Sequence, residues 1–293
     1  MQLTNKFDLP ETFINVINRP TYSKGNSEIS VTEILNSPRI VQLKRRHWNE
    51  LEQDASEMVW QLFGSAVHQI LEHGKSDHHI VEECIFLNFE GWRLSGAMDL
   101  QEVYEDGIVI NDYKVTGAWT VMQEKLDWFL QLNMYAWMVE KAKGINVKEA
   151  NIIAIVRDWK RREAETKSGY PKAPIVTLPI ELLPFEEREA MVRKRLAMHA
   201  EAQMDAEIDA ELIECSPEEM WEKQTSYALR KEGNVRAKSV HDSEEAAQKA
   251  LEGLKDSKGY FIEVRPGERT RCESFCQVSG FCSQYQTYLK EKQ

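Results

Sequence analysis

The chain has 293 residues, 42% hydrophobic and 29% charged, a balance that suits one large domain or a core with an appended subdomain and excludes a disordered chain. Its net charge of −11 excludes a protein whose whole surface grips nucleic acid, so any such site must be a local basic patch on an acidic body. No run approaches about 18 consecutive apolar residues, and the N-terminal MQLTNKFDLPETF has no basic region followed by an apolar stretch, so neither a membrane span nor a secretory signal is expected.

Residues 1–29 are polar, carry Pro10 and Pro20, and read as an N-terminal arm. Helical periodicity begins near Val31, and a second helix covers Glu57 to His73 and stops at Gly74. Strands are expected at Ile80 to Phe89, Arg93 to Tyr104 and Ile108 to Val115, the last two joined by the hairpin signal Asp106-Gly107. A long helix then runs from Val121 to Lys143 and ends at Gly144. The apolar strand Ala150 to Val156 precedes a basic loop from Arg157 to Pro174, a strand at Ile175 to Ile180 and a charged helix from Glu186 to Ala206. This order describes an α/β fold, a mixed sheet flanked by helices. Residues 30–206 form its core and residues 207–293 a cysteine-rich C-terminal subdomain. In the cytoplasm, the expected compartment, the five cysteines stay reduced or bind metal.

The segment from Leu94 to Val115 carries the chemistry. With Asp106-Gly107 as a two-residue loop, Glu105 faces Ile108, Asp99 lies opposite Lys114 and Gln101 lies opposite Asp112. Alternation sets Asp99, Asp112 and Lys114 on one face with Ile108 and Ile110, a face expected to be covered. Asp99 and Asp112 become diagonal neighbours roughly 7–8 Å apart between backbones, close enough to share a cation. Facing carboxylates repel unless a cation or a proton relieves them. Lys114 supplies one positive charge. A bound Mg²⁺ or Mn²⁺, ions that prefer oxygen ligands, would add more, polarise a phosphodiester and acidify a bound water. A one-residue slip would scatter the three side chains over both faces, and an Asp-x-Lys triplet by itself also describes an ordinary surface ion pair.

Helices flank this hairpin in sequence. The first carries Gly64-Ser65-Ala66-Val67-His68, and the second carries Gln131 and Tyr135, four residues apart on one face. The series GSAVH (64–68), GAMD (96–99), DYK (112–114) and QLNMY (131–135) resembles the RecB-like branch of the PD-(D/E)XK nucleases, over residues 30 to 160. The resemblance implies a restriction-endonuclease-like core. It implies that His68, Asp99 and Asp112 are metal ligands with the Tyr113 backbone carbonyl as a fourth, that Lys114 is the catalytic lysine, and that Gln131 and Tyr135 brace the site and touch DNA.

Four of the five cysteines lie in the tail, Cys215 alone and Cys272, Cys276 and Cys282 within RCESFCQVSGFC. Separated cysteines with loop-rich flanks suit a metal cluster, whereas Cys84 sits in an apolar strand and reads as core. The tail resembles RecB-like nucleases whose C-terminal cysteine trio holds a [4Fe–4S] cluster together with a fourth cysteine just before a Pro-Arg. Here that place is Ser37-Pro38-Arg39, a departure in which Cys215 has to substitute. The resemblance implies [4Fe–4S] on Cys215, Cys272, Cys276 and Cys282, with Zn²⁺ as the alternative and His241 as a reserve ligand.

Basic residues gather near Arg39 and Arg45, near Arg157 and Arg161, and near Arg230 and Arg236, with tryptophans interspersed among the first two groups. Phosphate neutralisation with aromatic stacking suits DNA ends or single strands, although solvated helix faces produce the same charge runs. The expected activity is a Mg²⁺- or Mn²⁺-dependent exonuclease serving DNA recombination, repair or phage DNA processing. Its expected place is the host-cell cytoplasm if phage-encoded, and its expected partner a recombination or single-strand annealing protein. The competing expectation is a non-catalytic DNA-binding or assembly protein on the same scaffold.

Overall fold

The N-terminal segment is more than an arm: it forms β1 (Gln2–Thr4) and α1 (Glu11–Ile17) in this computed structural model, which describes residues 1–19, 25–123 and 125–292. Next come β2 (Ile29–Ser30), α2 (Val31–Leu35), α3 (Pro38–Arg46) and β3 (Glu52–Asp54). Ser30 and Glu33 close a reciprocal capping box at the start of α2. β1 pairs in parallel with β3. The Asp54 carboxylate fixes the join, accepting from the Ser56 hydroxyl at 2.6 Å and from the Thr4 hydroxyl and the Lys6 N–H at 2.8 Å each. The Ser56 and Lys6 donors above all hold that carboxyl far below the usual carboxylate range.

The chain continues through α4 (Val59–Glu72), β4 (His79–Phe89), β5 (Trp92–Tyr104), β6 (Gly107–Thr116), α5 (Ala118–Val121) and α6 (Leu126–Lys143). It then forms β7 (Val147–Val156), α7 (Arg161–Thr166), β8 (Ile175–Ile180) and α8 (Phe185–Glu207). The six-stranded sheet has the order β2-β5-β6-β7-β8, with β4 also pairing β5. β5–β6 and β7–β8 are antiparallel while β6–β7 is parallel, so α6 supplies the long crossover that a parallel pair requires. The basic segment after β7, expected as a loop, contains the short helix α7.

Helix α6 is apolar nearly all round, which marks a helix enclosed on several sides. Leu132, Met134, Ala136, Trp137, Met138 and Val139 are all buried, packed with Ile108, Ile110 and Ile152 of the sheet and with α2 and α8. Gly96 of β5 permits the close approach, because a Cβ there would lie 2.9 Å from Met138 Sδ and 3.3 Å from the Tyr135 ring. Gly144 takes a left-handed conformation and ends α6, as expected of a C-terminal glycine.

The hairpin differs from the sequence expectation by two residues. Tyr104 pairs with Gly107 and Gln101 with Ile110, so the loop residues are Glu105 and Asp106. Gly107 is needed for another reason: a side chain there would strike Asn146 O at 2.7 Å, where the Ile108 N–H donates at 2.9 Å. A shift of two residues preserves side-chain faces, so Ile108, Ile110 and Asp112 still share the covered side. It brings Asp99 toward Asp112 rather than Lys114, one step beyond the last paired rung, Leu100 with Asn111.

By contacts the chain divides into two units, Met1–Val41 with Trp48–Leu212, and Gln42–His47 with Ile213–Gln293. The second holds β9 (Glu222–Lys223), β10 (Ser226–Lys231), β11 (Ser239–His241), α9 (Glu244–Glu252), β12 (Tyr260–Arg265), β13 (Glu268–Arg269), α10 (Thr270–Ser274) and α11 (Ser283–Glu291). Its antiparallel sheet β11-β10-β12 is covered by α9, and β9 pairs with β13. Among the described residues no helix is long and apolar enough to cross a membrane.

The contact of Gly96 with α6 can be measured. Gly96→Ala should destabilise the protein by about 1–3 kcal/mol through overpacking. In a Met138→Ala background, where the clashing sulfur is gone, it should cost less. Urea unfolding midpoints of the four proteins in this cycle provide the check, and a Gly96→Ala cost equal in both backgrounds would show that the two residues do not press on one another.

Candidate active site

The sheet opens at Asp99. Met98 faces α6 in the core, and Gln101 also turns toward α6, accepting from Lys143 Nζ at 2.9 Å. Two residues three apart on one side mean that the strand changes phase between them, at Asp99. On the other flank, the β4–β5 ladder joins Val81 to Leu100 and Glu83 to Met98 and skips Glu82, which has a left-handed φ of 50°. Asp99 is therefore freed from regular pairing, and its Oδ2 accepts from the Tyr113 N–H of β6 at 2.7 Å.

Helix α4 lies against β6 and delivers His68 to this opening. His68 Nε2 lies 3.2 Å from Tyr113 O, while Nδ1 lies 3.5 Å from Asp99 Oδ1 and 3.5 Å from Glu82 Oε1. The His68, Glu82 and Asp99 donor atoms all fall within 4.8 Å of one another, a spacing compatible with one ion. Asp112, only 2% exposed, places Oδ2 2.6 Å from Lys114 Nζ. That approach lacks hydrogen-bond geometry, so a buried carboxylate oxygen has a charge partner but no hydrogen bond. An open groove of about 600 Å³ runs past Gly64, Ser65, His68, Glu82, Tyr113 and Lys114.

Electrostatics marks the same place. Burial, and next the neighbouring Asp112 charge, push the Asp99 carboxyl up to about 7, against the opposing pull of His68, the Tyr113 N–H and Lys114. The hydrogen bond to Glu82 raises the His68 imidazole above its usual range, aided by the Asp99 charge, although burial works the other way. A buried carboxylate that resists ionisation beside one lacking a hydrogen bond fits a hard divalent cation. His68, Asp99, Asp112 and the Tyr113 carbonyl are the groups that would hold it.

Gln131 and Tyr135 stand together on α6, Gln131 Nε2 donating to the Tyr135 hydroxyl at 3.0 Å, with Tyr135 packed beside Gly96. Glu82 was not signalled by the sequence. In a regular strand Glu82 and Glu83 would face opposite sides, and no residue pattern announces the backbone twist that turns Glu82 toward Asp99. A further set of metal-capable side chains, His78, His79 and Glu102, is already engaged. His79 Nδ1 accepts from the Ser76 N–H at 3.1 Å, and both Glu102 oxygens accept, from Asn111 at 2.7 Å and from Tyr104 at 2.5 Å.

The expected DNA contacts divide. Arg39 is corrected: it is 2% exposed and spends its guanidinium on Leu212 O and Glu211 Oε1, both at 2.6 Å, so it cannot meet a phosphate. Arg157 is exposed and stacks 4.1 Å over the ring of Trp60, itself 59% exposed, next to the groove residue Gln61 on α4. Arg161 is exposed at the start of α7, and Arg45 is exposed on α3, within the second unit.

Cys215, Cys272, Cys276 and Cys282 all belong to the second unit and form no disulfide. Burial first, then the nearby Cys276 and Cys282, push the Cys272 thiol up to about 11. Gln284 holds the Cys215 backbone, donating to its carbonyl at 3.0 Å and accepting from its N–H at 2.9 Å. Among the described residues no three of the four sulfurs lie within 4.8 Å of one another. His241 is hydrogen-bonded to Ser239 Oγ at 2.8 Å, and Cys84 is half-buried in β4.

The sequence matches the family model described as the PD-(D/E)XK nuclease superfamily over residues 45–283. No curated protein matches it. Among solved structures, the crystal structure of SSO0001 aligns with a TM-score of 0.43 and 15% identity, covering 64% of this chain and 82% of that one, a likeness that carries no functional inference.

The raised Asp99 carboxyl sets a pH dependence. Below about pH 7 a proton occupies it and competes with a cation. Apparent Mg²⁺ affinity, measured by calorimetry, should therefore rise toward neutrality by up to about tenfold per pH unit for each proton displaced, from Asp99 and from the raised His68 imidazole, and flatten above it. Affinity that is level from about pH 5.5 to about pH 8 would show that no such proton is displaced.

Proposed function

The chain belongs to the PD-(D/E)XK nuclease superfamily, and on that footing we propose that it is a Mg²⁺- or Mn²⁺-dependent deoxyribonuclease that shortens DNA from its ends. The observation that carries this reading is the meeting of His68, Asp99, Asp112 and Lys114 where the β5–β6 ladder ends, beside an open groove that His68 and Lys114 line. The bound cation would supply Lewis acidity toward a phosphate oxygen and acidify a water. The protein's own part is positioning. The Tyr113 N–H fixes Asp99, and His68 lies between the Tyr113 carbonyl and two carboxylates. Lys114 keeps its ammonium beside Asp112 at the groove wall, where it can orient a water or stabilise charge developing on the phosphate.

End-directed action on single or frayed strands is supported by Arg157 and Trp60. A cation over an exposed indole beside the groove offers a phosphate contact and a stacking surface together. Arg161 on α7 extends the positive side, and Gln131 with Tyr135 braces β5 from behind. Such an enzyme would serve recombination, repair or phage DNA processing, alongside a recombination or single-strand annealing protein.

In the second unit, Cys215, Cys272, Cys276 and Cys282 would hold a [4Fe–4S] cluster as a structural clasp. Protein purified without oxygen should be brown with broad visible absorbance, which Cys276→Ser should remove. A colourless protein carrying stoichiometric zinc would replace iron by zinc in this reading.

The nuclease proposal is tested with end-labelled linear and covalently closed circular DNA in the presence of Mg²⁺ or Mn²⁺. The wild-type protein should shorten only the linear substrate. Asp112→Asn and Lys114→Ala should each lower the rate by at least about a hundredfold with the circular dichroism spectrum unchanged. A protein that retards DNA in a gel without ever shortening it would instead be a binding or assembly factor.

A further inference from the structure

Resting on the metal-dependent reading above, we propose that Glu82 is a direct ligand of the catalytic cation, completing a donor set with His68 Nδ1 and Asp99 Oδ1. Its Oε1 lies 3.5 Å from His68 Nδ1, and Asp99 Oδ1 lies 3.5 Å from the same nitrogen. Neighbouring ligands around an octahedral ion with bonds of about 2.1 Å stand about 3 Å apart. Both distances from His68 Nδ1 thus need only a small contraction, and all three donor atoms already lie within 4.8 Å of one another.

The backbone is committed to this placement. Glu82 has a left-handed φ of 50°, a conformation that disfavours a side chain, and the β4–β5 ladder is interrupted at the Glu82–Asp99 rung alone between Val81 and Glu83. Backbone strain of this kind persists where the surroundings over-determine it. The next residue shows the contrast: Glu83 stays in the ladder and binds Lys143 and Gln101. Glu82 is given to the groove, Glu83 to the fold.

Charge balance supports the same assignment. Glu82 and Asp99 meet at His68, and Asp112, whose charge acts on Asp99, holds the Lys114 ammonium, which makes three carboxylates and one ammonium. With His68 neutral, as a metal-bound imidazole is, two negative charges remain, the number a divalent ion cancels.

The test measures Mn²⁺ binding to the full-length protein without DNA, by calorimetry and by loss of the free-Mn²⁺ paramagnetic resonance signal. Wild type, Glu82→Gln, Glu82→Ala and Asp112→Asn are compared. Both Glu82 variants should bind at least about tenfold more weakly, with unaltered circular dichroism. Glu82→Gln is nearly isosteric and still accepts a hydrogen bond from His68, so it separates ligation from orientation and serves alone if Glu82→Ala fails to fold. Wild-type affinity in Glu82→Gln overturns the proposal, whether or not Glu82→Ala is weakened. If Asp112→Asn loses Mn²⁺ in the same series, the metal-site reading survives that outcome. A wild-type protein that binds no Mn²⁺ overturns the reading and the proposal together.

Discussion

Asp99 and Asp112 approach one another in a place with little water, and the architecture of the site follows from that repulsion. Burial and the Asp112 charge both oppose ionisation of Asp99. Lys114 answers one of the two charges. The sheet accommodates the other by opening: the β5–β6 ladder stops one rung short, and Asp99 takes the Tyr113 N–H in place of a strand partner. Burial and the Asp112 charge draw the Asp99 carboxyl up to about 7.

Such a site needs a rigid support, and α6 provides it. Gly96 removes a Cβ where Tyr135 and Met138 would collide with the sheet, so the helix rests on β5 three residues before Asp99. At the far end of α6, Lys143 binds Glu83 and Gln101, which tether β4 and β5 on either side of the strained rung. The irregular backbone at Glu82 and Asp99 is thus held between two regular contacts with one buried helix. Reactive groups placed on strands and backed by a packed helix keep their geometry better than groups carried by loops.

Much of this was legible from the residues. The alternation of Ile108, Ile110, Asp112 and Lys114 identifies a strand whose first half is covered, and the apolar run in α6 identifies its cover. The hairpin register differs from the sequence expectation by two, because Asp106-Gly107 reads as a turn although Gly107 is required by Asn146 across the sheet. The face assignment survived, since strand periodicity is two and an even slip is silent. Glu82 was illegible for the opposite reason: its role depends on a backbone angle that its neighbours in sequence do not encode. The polar N-terminal stretch concealed β1, since three residues carry no periodic signal and the pairing is fixed by Asp54, some fifty positions away. In the second unit, short strands such as β9 and β13 likewise exist through their partners rather than through any pattern of their own.

Arg39 and Arg157 show why a basic residue in a sequence says little about DNA until its partner is known. Arg39 lies in a cluster of cations, yet its guanidinium is enclosed by Glu211 and a backbone carbonyl, which satisfies its charge inside the fold. Arg157 rests on an indole ring, and a ring attracts a cation through its quadrupole without cancelling the charge. The guanidinium therefore keeps its charge, and Trp60 beneath it is 59% exposed. On a chain with a net charge of −11, a cation held by a ring keeps more of its field than one held by a carboxylate, which is why Arg157 and not Arg39 remains in the proposed DNA path.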